Sequence, residues 1–127
     1  MIGFLADTTI LVEHLRGNRL AKSFLEQNDA SISSVTKAEL IQGSRNKSDL
    51  KIVKSLCHSL VEVSINEKIT KLAISLLEKY YLSHGLLFLD ALIAATALER
   101  NLTLITGNTK HFVFISGLLL KDWSTFN

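Results

Sequence analysis

The sequence predicts an α/β fold with a central, mainly parallel sheet of four to five strands covered on both faces by helices. Short apolar segments bounded by polar residues recur along the chain, as buried strands do. Between them lie segments whose apolar residues repeat at helical spacing, the alternation expected of a parallel sheet wrapped by helices. No proline, low-complexity stretch or internal repeat marks a linker, so the 127 residues read as one domain, 1–127, long enough to bury a proper core.

The first strand is Ile2 to Ala6, short and wholly apolar. Asp7-Thr8-Thr9 then leads into Ile10, Leu11, Val12 and Leu15, a helical repeat that stops at Gly17. Asn18 suits the cap of a second short helix running to about Gln27, with Leu20, Ala21, Phe24 and Leu25 as its apolar face. Ala30 to Ser34 reads as the second strand, followed by a helix through Glu39 that ends near Gly43. Ser48 to His58 reads as a helix with a mixed outer face, and Leu60 to Val63 as the third strand. Asn66 caps a long amphipathic helix carrying Ile69, Leu72, Ala73, Leu76, Leu77 and Tyr80, which Gly85 stops. Asp90 opens, or lies in the first turn of, a helix that runs to about Arg100. Thr103 to Thr106 is the fourth strand, Asn108 to His111 a short turn or helix, and Leu118 to Leu120 a fifth strand.

Composition narrows the function classes. A net charge of +2 does not establish nucleic-acid binding, yet it permits binding where Lys and Arg cluster, because phosphate contacts depend on the local field. The single cysteine, Cys57, excludes an internal disulfide and lies among Leu56, Leu60 and Val61, the setting of a buried structural thiol in a reducing compartment. The N-terminus has no basic segment before its apolar run, so no secretory signal is expected. The apolar stretch 86–98 is short of the roughly 20 residues that span a bilayer and carries an acid. A cytoplasmic protein with no membrane association is expected.

Three acids carry the chemical signal. Asp7 ends the first apolar run, Asp90 interrupts the most apolar stretch of the chain, and Glu39 follows the second strand closely. A buried, isolated carboxylate costs several kcal/mol, so such groups are paired, protonated or bound to a metal. No Lys or Arg lies within five residues of Asp90, so a local salt bridge is not available to it. In a parallel sheet the ligand site lies beyond the carboxyl ends of the strands, where Asp7, Glu39 and Asn108 follow strands one, two and four. Carboxylates gathered there call for a divalent, oxygen-seeking cation such as Mg2+ or Mn2+. Each acid taken singly has a plainer reading: Asp7 and Asp90 as helix caps, Glu39 as an exposed helix residue, Asn108 as a turn residue.

Asp7 with the apolar strand before it, the segments Thr36 to Gly43 and Asp90 to Leu98, and Leu104 to Phe112 together resemble the motifs of PIN-domain ribonucleases. They are most similar to the VapC-type toxins of bacterial toxin–antitoxin pairs. The resemblance spans essentially the whole chain and implies a three-layer α/β/α fold and a divalent-metal-dependent endoribonuclease. It implies Asp7 and Asp90 as the principal metal ligands, Glu39 as a further ligand directly or through water, and Asn108 completing the catalytic set where many relatives carry an acid. With three carboxylates, one firmly bound Mg2+ or Mn2+ is expected. Thr106 is a candidate for orienting the attacking water. Lys37, Arg45, Lys47, Lys110 and His111 flank the motifs and are candidate RNA-backbone contacts. The resemblance further implies a homodimer and a VapB-type antitoxin that lays a helix and an extended tail in a groove, with residues 8–27 and 48–58 as candidate walls.

Competing readings remain at this point. One is a PIN or flap-type nuclease acting on DNA or in RNA maturation. A second, of another class, is a phosphoacceptor receiver domain; it needs a further pair of acids near the first strand, and Asp7 has no acidic neighbour until Glu13. A third is a catalytically inactive PIN module used for binding, against which the intact Asp7, Glu39 and Asp90 argue.

Overall fold

The computed structural model describes residues 3–125. The chain runs β1 (Phe4–Ala6), α1 (Thr8–Leu15), α2 (Arg19–Gln27), β2 (Ala30–Ser33), α3 (Ser34–Gln42), α4 (Lys47–His58), β3 (Val61–Val63), α5 (Glu67–His84), α6 (Phe88–Arg100), β4 (Thr103–Thr106) and β5 (Leu120–Asp122). Two 3-10 turns, Thr109–His111 and Trp123–Thr125, follow β4 and β5. Ile2, expected at the head of the first strand, lies outside the described residues.

The helices start where short polar side chains satisfy otherwise orphaned N–H groups. The Asn18 side chain accepts from the N–H groups of Leu20 and Ala21, Ser33 Oγ from Val35, Asn46 from Asp49 and Asn66 from Ile69. Gly85 ends α5 at φ 70°, a left-handed conformation that glycine adopts without a Cβ penalty. β3 begins one residue later than expected because the Leu60 N–H still donates to the Cys57 carbonyl at the end of α4.

All five strands pair in parallel, in the order β3-β2-β1-β4-β5. Successive residues face opposite layers, as strand geometry requires. Leu5 and Leu104 enter the core shared with α5 and α6, while Ala6 and Ile105 enter the core built with α1, α2 and α4. This is the expected three-layer α/β/α arrangement, with five strands. β5 differs in place: the apolar run Leu118–Leu120 put it two residues early. Gly117 turns the chain at φ 81°, and the ladder starts where Leu120 meets Leu104. An edge strand buries only part of its surface, so the apolar run is a poor guide to its limits.

The chain leaves β1 toward β2 and β3, then crosses back to place β4 on the other side of β1. The carboxyl ends of β1 and β4 therefore form the crevice at which the strand order reverses, the place where open α/β sheets bind ligands. Among the described residues, no helix is long and apolar enough to cross a membrane.

Candidate metal centre

Asp7 directly follows β1 at this crevice. It occupies the N-cap position of α1 yet makes no side-chain cap hydrogen bond, so capping does not explain it. Its side chain is buried, at 5% exposure. Both hydroxyl contacts to the carboxylate end on Oδ2: Thr106 Oγ1 donates at 2.7 Å and Thr9 Oγ1 lies at 3.3 Å. Oδ1 takes neither bond and is not sealed from solvent, leaving it directed to an outside partner.

The last residues of β4 hold this carboxylate in place. Thr106 is fully buried, and its hydroxyl donates to Asp7 while accepting the N–H of Asn108 at 2.9 Å. Thr9 Oγ1 accepts the Gly107 N–H at 2.9 Å and lies 3.4 Å from Thr106 Oγ1. Its single proton can serve Asp7 or Thr106 but not both. Thr106, expected to orient the attacking water, is fully buried here and gives its proton to Asp7. Thr106 positions Asp7.

Glu39 comes in from α3, half-buried. Thr8 Oγ1 donates to its Oε1 at 2.7 Å and lies 3.3 Å from Thr36 Oγ1. A contact across 31 residues sets Glu39 apart from an ordinary exposed helix residue. Asp90 is the third residue of α6, whose N-cap is Leu87, so Asp90 is not a cap either. His111 Nδ1 lies 3.4 Å from Asp90 Oδ2, a partner from another part of the chain that local sequence did not offer. Burial pushes the Asp90 carboxyl above its ordinary range; the His111 imidazole pulls the other way, and Asp7 and Glu39 push it further up. The three acids thus feel one another across the crevice.

Asn108 precedes the turn Thr109–His111, is exposed, and makes no side-chain cap bond there. Among the described residues, no three His, Cys, Asp or Glu side chains are already gathered to hold one ion. Glu39 is drawn to Thr8 and Asp90 to His111, as like charges facing each other would dictate. The donor set consists of carboxylate and amide oxygens, which suits Mg2+ or Mn2+ rather than a softer metal. Asp7 Oδ1 and the mutual repulsion at Asp90 are the features that a divalent cation would satisfy.

The flanking cations are placed unequally. Lys37 Nζ lies 3.0 Å from Glu62 Oε1, and Arg45 Nε 3.0 Å from Asp49 Oδ2. Lys110 is exposed on the turn after Asn108. Cys57 is buried and free, and burial pushes its thiol up. A cleft of about 570 Å3 opens beside Glu39, walled by Val12 and Leu15 of α1, Leu40 of α3, and Ile52 and Val53 of α4. Helix α2, expected to share in a groove wall, does not line it. Sequence reasoning missed Thr8 and Thr9 as members of the site; their one signal is a pair of hydroxyls directly after Asp7.

The sequence profile of the PIN domain family matches residues 4–114. Ribonuclease VapC19 of Mycobacterium tuberculosis is 34% identical over 114 residues, covering 85% of this chain and 90% of that protein. Ribonuclease VapC10 of the same organism is 35% identical over 113 residues, covering 85% of this chain and 84% of that protein. Among solved structures, a toxin–antitoxin complex from Klebsiella pneumoniae superposes with a TM-score of 0.81 at 29% identity, covering 95% of this chain and 98% of that one. The chain belongs to the PIN-domain family and, within it, to the VapC ribonucleases.

Proposed function

We propose that this chain is a Mg2+- or Mn2+-dependent endoribonuclease toxin, held inactive by a VapB-type antitoxin. The observation that supports the reading is the electrostatic push of Asp7 and Glu39 on Asp90 beside the switch point of the sheet, with neither aspartate spent on capping a helix. Asp7 and Asp90 would hold the cation, Glu39 would bind it directly or through water, and the Asn108 amide completes the set. When bound, such an ion polarises a phosphoryl oxygen and makes water a stronger nucleophile. Glu39 orients the attacking water and accepts its proton. Water adds to phosphorus as the bond to the 3′-oxygen breaks, and that oxygen takes a proton from solvent, leaving a 5′-phosphate on one fragment and a 3′-hydroxyl on the other. Thr106 and Thr9 keep Asp7 aimed at the crevice, and Lys110 stands where it can approach the RNA backbone.

The cleft between α1, α3 and α4 suits an amphipathic helix of the antitoxin, whose apolar side would meet Val12, Leu15, Leu40, Ile52 and Val53. A basic side chain of that partner would find Glu39 at the same cleft. Residues 1–127 are read as a single domain; β5 lies beyond the family match yet pairs with β4 in the same sheet. A homodimer in the cytoplasm completes the proposal.

The test is expression of wild type and Asp90→Asn with and without an antitoxin gene, with mapping of RNA 5′ ends. Wild type should arrest growth and generate new 5′ ends, the variant neither. Equal arrest by both forms would sink the nuclease reading. EDTA should abolish cleavage by the purified protein, and Mg2+ or Mn2+ should restore it.

A further inference from the structure

Two of the cations beside the Glu39 motif already face carboxylates. The Lys37 ammonium sits on Glu62 and the Arg45 guanidinium on Asp49. Arg16, at the C-cap of α1, is different. Its backbone N–H closes the helix on Val12, while its exposed side chain makes no hydrogen bond or ion pair among the described residues. It lines the cleft beside Glu39 and also a second, smaller cleft of about 360 Å3 that shares Thr8 and Val12 with the first. That second cleft runs past Thr9, Gly107 and Asn108, so one wall belongs to the candidate metal centre and Arg16 stands on its rim.

We propose that Arg16 grips the RNA backbone along this second cleft, at a phosphate further along the strand than the one being cut. The helix rise of about 1.5 Å per residue separates the Arg16 and Asp7 backbones by roughly 13 Å along α1, which suits a phosphate further along the strand better than the scissile one. The guanidinium fork is always charged and matches two phosphate oxygens at once. Phosphate contact also answers the electrostatics of the cleft. An acidic crevice repels RNA, and a fixed cation along the approach offsets that repulsion while setting the direction of the strand. Glu13 shares the cleft without pairing to Arg16, so the guanidinium remains free to take an outside anion. The larger cleft is the one assigned to the antitoxin helix; the smaller one carries Thr9, Asn108 and Arg16 beside Val12 and Trp123 and borders the candidate metal centre, where a strand continuing from the cut would pass.

This inference rests on the ribonuclease reading, and its test separates the two. In the Asp90→Asn background with Mg2+ present, binding of a fluorescein-labelled, mixed-sequence single-stranded RNA is followed by anisotropy at several salt concentrations. Adding Arg16→Gln should weaken binding about tenfold and flatten the log–log salt dependence by about 0.7, the share of one phosphate on a single strand. Lys68→Gln removes the same charge from α5, on the opposite layer, and should leave affinity within about twofold because distant exposed charges are screened. Equal losses from the two substitutions would reduce the effect to net charge and overturn the proposal. An unchanged salt slope in Arg16→Gln would overturn it while leaving the nuclease reading in place. A background protein that binds no RNA would sink both.

Discussion

Asp90 holds its proton more tightly in the folded chain than in the unfolded one, because burial and the facing Asp7 and Glu39 raise its pKa from 3.8. Between the unfolded and folded values the native state carries the extra proton, so stability falls as pH rises through that window and stays lower above it. Asp90→Asn should therefore raise the melting temperature of the metal-free protein at neutral pH, and the gain should shrink as pH drops below the ordinary carboxylate range. Mg2+ should raise the melting temperature of wild type more than that of the variant, since a ligand that binds only the native state stabilises it. A variant that melts below wild type at neutral pH would mean that the His111 contact outweighs the repulsion. The acids were legible in the sequence because a carboxylate amid apolar residues is conspicuous wherever the chain folds. The hydroxyls of Thr8 and Thr9 were not, since their partners Glu39 and Gly107 lie 31 and 98 residues away.

The turn after β4 shows how an element is shaped by a neighbour from another part of the chain. A Cβ added to Gly107 would stand 2.9 Å from Trp123 Nε1 and 3.6 Å from Thr9 Oγ1. The indole is buried, at 7% exposure, and its Nε1 has no hydrogen-bond partner among the described residues. Trp123 and Thr9 thus leave no room for a side chain at Gly107, directly before Asn108. Gly107→Ala should cost about 1–3 kcal/mol in urea unfolding, the usual range for overpacking a tight site. Combining it with Trp123→Phe should cost less than the two changes separately, because the smaller ring vacates the space; strict additivity would show that the two residues do not collide. The element types and their order were readable from apolar periodicity and caps such as Asn18 and Asn66. The position of β5 was not, for it depends on pairing with Leu104 and not on its own apolar run.

Alternating strands and helices implied a parallel sheet, but nothing local in the sequence placed β1 between β2 and β4. That order follows from one long crossover through α5 and α6, and it is what creates the crevice. The same pair of helices leaves apolar surface uncovered where they meet: Leu82 is 95% exposed, and Leu87 and Leu89 are also open to solvent. Exposed leucines grouped at one end of a helix pair are candidates for the contact surface of the proposed dimer. Within the proposed homodimer, Leu82→Lys with Leu87→Lys should shift sedimentation toward the monomer, whereas wild type sedimenting as a monomer at micromolar concentration would remove the dimer from the proposal. The bond from Thr106 to Asp7 spans 99 residues of a 127-residue chain. At about 5–20 residues per second, a ribosome has carried the Asp7 segment for roughly 5–20 seconds before it makes Thr106. Until then Asp7 has no hydroxyl from β4 to aim it, and the crevice has only one wall. A growing chain therefore lacks the site throughout most of its synthesis, and the cell meets a competent nuclease only once β4 has emerged and docked.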